Sequence, residues 1–176
     1  MSKRIPSMHG VTTERLVFRD TSMDDLSWWM DYINSAEAIR FMSLTVGSEA
    51  SCREFIQRSM DRRVTDGSGL NAIIEQATGK PVGMIGLLTQ VVDSEDELEV
   101  GYHLVPSAWG KGYASEAAIA CKEFARKHQC APSVISLIDP ENFASQAVAK
   151  RNGMSFEKDT VHRGVPAMVW RYHFRP

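Results

Sequence analysis

The chain has 176 residues, enough for one domain with a sizeable core, and its 43% apolar and 24% charged residues are ordinary for a globular protein. A formal net charge of −2, with no run of five or more basic residues, supplies no positive field to hold a nucleic-acid backbone. No apolar run nears the ~20 residues that cross a bilayer, so the expected location is cytoplasmic, with no membrane partner.

The opening MSKRIPSMHG lacks an apolar core of signal-peptide length. Cys52, Cys121 and Cys130 form no CxxC pair, and no two histidines make an HExxH pattern; free thiols and no metal site are expected. No repeat or Pro/Gly/Ser-rich linker divides the chain, so residues 1–176 read as a single domain.

In chain order, Glu14–Arg19 is strand-like. Leu26, Trp29, Met30 and Ile33 then repeat at helical spacing, with Ser22 and Asp25 as a cap and first-turn charge. Cys52, Phe55, Ile56, Ser59 and Met60 carry a second helix that ends near Asp66–Gly67. Leu70–Glu75 and Val82–Val92 read as a hairpin about Thr78–Pro81. The acidic run Asp93–Glu97 reads as a solvated loop, and Leu98–Val105 as a strand closed by Pro106. A long helix starting at Ala108 or Gly112 runs to Lys127. Its inner face of Ala114, Ala117, Ala118, Cys121, Phe124 and Ala125 is mostly small enough to lie close to a sheet. Val134–Ile138 is a strand, and Phe143–Asn152 is a helix capped by Asn142 and stopped by Gly153. Met154–Val161 and Val165–Phe174 are the last two strands. The whole is a mixed α/β protein around one sheet.

The junction Trp109-Gly110-Lys111-Gly112-Tyr113-Ala114 is the informative point. Two glycines at a helix opening let backbone approach a ligand, and the unpaired first-turn amides point at it, where the helix dipole favours negative charge. That is a pyrophosphate cradle. It is not a P-loop, because Gly112 follows Lys111 where Ser or Thr is required. It is not a dinucleotide fingerprint either, because Ser115 stands at the third glycine position.

These residues resemble the GNAT superfamily of N-acetyltransferases, whose signature Arg/Gln-x-x-Gly-x-Gly/Ala falls on Trp109, Gly112 and Ala114; the first position departs from the usual residue. Trp109–Ala117, Glu99-Val100-Gly101-Tyr102, and Asn142 and Ser145 followed by Lys150–Gly153 are similar to the RimJ/RimL-like branch that acts on ribosomal-protein N-termini. The likeness runs from about Glu14 to Phe174. It implies an acyl-CoA N-acyltransferase fold of about seven strands and four helices, with acetyl-CoA as acyl donor and a peptide N-terminus or small-molecule amine as acceptor.

The resemblance further implies that main-chain groups of His103, Leu104 and Val105 contact the thioester carbonyl. The coenzyme would be held by Leu104, Val105, Trp109, Gly110, Lys111, Gly112, Tyr113, Ala114, Ser115, Asn142, Ser145 and Lys150. Glu99 matches an acidic position used as a base through water, and it reads equally as an exposed strand carboxylate. His103 is a second candidate, since a near-neutral imidazole suits proton transfer. Strand parity puts Glu99, Gly101 and His103 on one face, with Gly101 leaving space between the two. Ser145 matches the branch's serine at the coenzyme sulfur, or else hydrogen-bonds the helix start. The tyrosine that many relatives carry seven residues after the motif Asn is Ala149 here. Trp28, Trp29, Phe41, Met42 and His162–Met168 would wall the acceptor site. A coenzyme A-binding sensor without turnover is the alternative function. Sheet edges and the C-terminal hairpin offer surfaces for a homodimer.

Overall fold

A computed structural model describes residues 4–175. The strands are β1 (Leu16–Asp20), β2 (Gly69–Glu75), β3 (Pro81–Val92), β4 (Glu95–Leu104), β5 (Ser133–Ile138), β6 (Ser155–His162) and β7 (Val165–His173). The helices are α1 (Leu26–Ile33), α2 (Glu49–Thr65), α3 (Tyr113–Lys127) and α4 (Phe143–Arg151). Short 3-10 turns at Met23–Asp25 and Pro106–Ala108 precede α1 and α3. The seven strands form one sheet in the order β1-β2-β3-β4-β5-β7-β6. All neighbours are antiparallel except β4 and β5, which run parallel.

Alternation along β4 shows which helices cover which face. His103 meets Tyr32 of α1 and Phe55 of α2, whereas the phenol of Tyr102 donates to Ser145 O of α4. Successive strand residues face opposite ways, so α1 and α2 pack on one side of the sheet and α4 on the other. The expected small-residue face of α3 is buried at Ala117, Ala118, Cys121 and Ala125, which lets that helix lie close to β3 and β4. Trp29, Ile33, Ile56 and Met84 fill the core under α1 and α2, while Phe18 and Ile73, paired across β1 and β2, are buried on the opposite face. Each such side chain contributes roughly 1.5–3 kcal/mol by leaving water.

The acidic run differs from its expected form. Only Asp93 and Ser94 turn, with φ of +50° and +70°, and the β3–β4 ladder extends to Val92 opposite Glu95. Two positive φ values make the tight primed turn that suits the twist of a hairpin. Glu95 and Asp96 stay exposed along the strand, whereas Asp93 and Glu97 have basic partners. Arg171 grips Glu97 at 2.5 and 2.8 Å, and Lys158 meets Asp93 at 2.6 Å.

Candidate active site

β3 and β4 pair along their whole length, but β4 and β5 share a single bridge, Glu99 opposite Ile135. Beyond it β5 pairs fully with β7, from Ser133 opposite His173 to Ile138 opposite Met168, and so diverges from β4. Side chains replace the missing ladder bonds at the apex of this wedge. Ser136 Oγ donates to Val100 O at 2.8 Å, and the Leu137 amide donates to the Glu99 carboxylate. Nearby, the Tyr102 phenol donates to Ser145 O at 2.7 Å.

Main-chain direction inside the wedge follows from one bond. The Val105 amide donates to Val82 O at 3.1 Å, so it faces β3 and is already used. Amides alternate edges along a strand, so those of Leu104 and Tyr102 face the gap. The Leu104 carbonyl is taken by the Trp109 indole N–H at 3.1 Å.

Glu99 is buried at the apex, where Gln90 Nε2 donates to it at 2.6 Å. Burial raises its pKa above the ordinary carboxylate value, opposed by the Gln90 and Leu137 donors and by the Arg62 and Arg163 cations. Gln90 is in turn held by Arg163 at 3.2 Å, from the β6–β7 turn. His103 is half-buried against the rings of Tyr32 and Phe55, with Tyr32 Oη 3.0 Å from its Nδ1. Desolvation pushes its pKa down to about 4, so the imidazole is neutral at pH 7.

The space expected above Gly101 is filled. A Cβ there would lie 2.9 Å from Leu88 Cδ1 and 3.5 Å from Leu70 Cδ2. Glu99 and His103 share a face, as parity requires, but stand roughly 13 Å apart along the strand. The structure does not bring them together, and each has its own partners.

At the far end of the wedge, Gly110 and Gly112 have φ of +73° and +81°, a region costly for residues with a Cβ. Gly112 is the N-cap of α3, and the first ladder bond of the helix runs from the Glu116 amide to Gly112 O at 3.1 Å. The amides of Tyr113, Ala114 and Ser115 therefore lack intrahelical acceptors. A Cβ at Gly110 would meet nothing within 4 Å, so the turn is open on its outer side. The chain's own groups thus fit an elongated anionic ligand: free amides at one end and an unpaired strand edge leading inward.

Asn142 caps α4 as expected, its side chain accepting from the Ser145 amide at 3.1 Å. Among the described residues no hydrogen bond engages the Ser145 hydroxyl, which leaves it available. Ala149 is fully buried and has no group to offer. Lys111 is exposed, and Lys150 Nζ sits 5.5 Å from the Trp170 ring centroid. Gln90, Ser136 and Tyr102 went unassigned in the sequence, because only the fold places them beside Glu99 and Ser145.

The acetyltransferase (GNAT) domain model matches residues 15–155. N-acetyltransferase p20 of Bacillus licheniformis, itself uncharacterized, is 28% identical over 158 residues, 89% of this chain and 86% of that protein. The solved acetyltransferase of Agrobacterium tumefaciens is 28% identical at a TM-score of 0.78, over 99% of this chain and 98% of its own. RimL, a ribosomal alpha-N-protein acetyltransferase solved with coenzyme A, has the same fold at a TM-score of 0.73 and 18% identity, over 97% of this chain and 98% of its own. The chain belongs to the GNAT acetyltransferase family, and its activity is acetyl-CoA-dependent N-acetyl transfer.

Proposed function

We propose that the amides of Gly112 to Ser115 hold the coenzyme A pyrophosphate while the β4–β5 wedge admits the acetyl-pantetheine arm. The observation that carries this is the single β4–β5 bridge, Glu99 opposite Ile135, with an unpaired strand edge leading to the open glycine turn. Acetyl-CoA supplies the activated thioester. The Leu104 amide, aimed into the gap, is the donor for the thioester carbonyl, a stabilisation that requires no side chain. The Val105 amide is committed to Val82, so the backbone contact narrows to Leu104.

An alkyl ammonium must lose a proton before it attacks. Glu99 is the base, acting through water. Its raised pKa brings it closer to neutrality than an ordinary carboxylate, which improves its match to the task. His103 is too weakly basic for that role at pH 7, and serves as a neutral hydrogen-bonding group on the acceptor wall. Ser145, with a free hydroxyl at the start of α4, delivers a proton to the departing sulfur. Asn142 fixes that turn, and Tyr102 holds it from the sheet.

The acceptor is a primary amine, either a peptide N-terminus or a small molecule; the fold shared with RimL favours testing peptides first. The protein acts in the cytoplasm as one catalytic domain. The buried Ala149 in place of a tyrosine keeps a coenzyme A sensor as the second reading. Free-thiol release from acetyl-CoA, measured against amines and peptides starting with Ala, Ser or Met, separates the two. Turnover with any acceptor supports the enzyme. Calorimetric binding of acetyl-CoA without turnover across the panel supports the sensor.

A further inference from the structure

We propose that Arg15 is a positioning residue for the phosphate-binding turn: it aims the Gly112 amide outward and cancels the charge of Glu116 beside the bound phosphates. This rests on the reading of residues 110–115 as the pyrophosphate cradle. Arg15 lies just before β1, 101 positions from Glu116, and its side chain crosses to the start of α3. Its Nη1 donates to Lys111 O at 2.8 Å, and its Nε donates to Glu116 Oε2 at 2.7 Å. The Arg15 amide and Thr13 Oγ1 add bonds to Glu116 Oε1 at 2.8 and 2.5 Å. The guanidinium lies 4.6 Å over the Tyr113 ring, and its Nη2 would be 3.4 Å from a Cβ on Gly112.

Two consequences follow from this geometry. In a trans peptide the carbonyl and the next amide point in opposite directions. Tying the Lys111 carbonyl to Arg15 therefore turns the Gly112 N–H away from Arg15, toward the open side of the turn. The second concerns charge. Glu116 stands in the first turn of α3. There a carboxylate suits the helix dipole but repels a phosphate at the same helix end. Arg15 makes the pair neutral, so the amides meet the ligand without an opposing charge. Glu116 is the more enclosed of the two, at 18% side-chain exposure against 42% for Arg15.

The test compares kcat/KM for acetyl-CoA and for S-acetylpantetheine, which carries no phosphate, in the full-length protein. The preference of the wild type for acetyl-CoA reports the cradle. Arg15→Ala is expected to reduce that preference about tenfold, the size of one lost charge-assisted hydrogen bond, mainly through KM. Adding Glu116→Gln to Arg15→Ala is expected to restore part of it, because the uncompensated charge is gone. A scaffold-only role forecasts the reverse, since the double variant loses further hydrogen bonds. If Arg15→Ala does not fold, Arg15→Lys keeps the charge without the fork and should lose about threefold. An unchanged preference in Arg15→Ala or Arg15→Lys, or a double variant worse than the single, overturns the proposal. A wild type with no preference between donors instead removes the cradle reading itself.

Discussion

The two ends of the β4–β5 wedge are built from different materials. At the α3 end the recognition groups are main-chain amides of consecutive residues, and the side chains around them, such as Arg15, serve as props. At the apex the working group is the Glu99 carboxylate, with Gln90 from β3, Leu137 from β5 and the Arg163 cation from the β6–β7 turn around it. A backbone site can be written into six adjacent letters. A side-chain site is assembled by the fold from letters far apart.

That contrast sets where substitutions should hurt. Glu99→Gln is expected to lower kcat about a hundredfold, the range for loss of a general base, while leaving KM for acetyl-CoA nearly unchanged. Its stability should move the other way. The folded-state pKa of Glu99 lies above its unfolded value, so wild-type stability falls as pH rises through that window. Glu99→Gln removes this fall and is expected to melt no lower than wild type at pH 7. In the wild type, the acidic limb of kcat/KM should lie above the ordinary carboxylate range. A limb at or below it would remove Glu99 from the role of base.

His103 gives the next largest effect, on stability. Its folded-state pKa of about 4 lies below the unfolded value of 6.5. As pH falls the unfolded chain takes the proton first, so stability held above pH 6.5 is lost on the way down to pH 4. The loss is on the order of 3 kcal/mol. Urea unfolding at pH 7 and pH 4.5 should show this fall in wild type and less of it in His103→Gln. Equal falls in both would mean that the imidazole is solvated.

The backbone end predicts smaller, more local losses. Gly112→Ala places a Cβ at φ +81°, close to Arg15, and should cost roughly 1–2 kcal/mol of stability and raise KM for acetyl-CoA. Gly110→Ala carries a similar backbone penalty, but its Cβ meets no protein atom, so any extra rise in KM would report the ligand in that space. Smallest of all, Tyr102→Phe removes the bond to Ser145 O and should cost about 1 kcal/mol by thermal melting, with a modest fall in kcat. A fall in kcat as large as that of Glu99→Gln would make Tyr102 a proton donor and displace Ser145.

Much of the fold was legible because periodicity and punctuation agree. The order of seven strands and four helices, the Asn142 cap and the stop at Gly153 all follow from local chemistry. The start of β4 was not legible, because Glu95–Glu97 are held in the sheet by pairing with Gln90–Val92, and the Glu97 charge is met by Arg171, more than seventy residues downstream. Asp93-Ser94 also lacks the glycine that usually marks a primed turn. In the site, the glycine turn and the shared face of Glu99 and His103 came from pattern. Filling of the Gly101 space by Leu88 and Leu70 did not, since parity gives direction without depth. The Gln90 and Arg15 contacts had no local signal either, as each pairs across strands or helices.

The most direct test of the backbone-cradle account is a titration of ¹⁵N-labelled protein with coenzyme A, following amide resonances. The largest shifts are expected at Leu104 and from Gly110 to Ser115, with the β6–β7 turn moving little. Shifts centred on the β6–β7 turn, or spread over exposed lysines while the Gly110–Ser115 amides stay still, would contradict it.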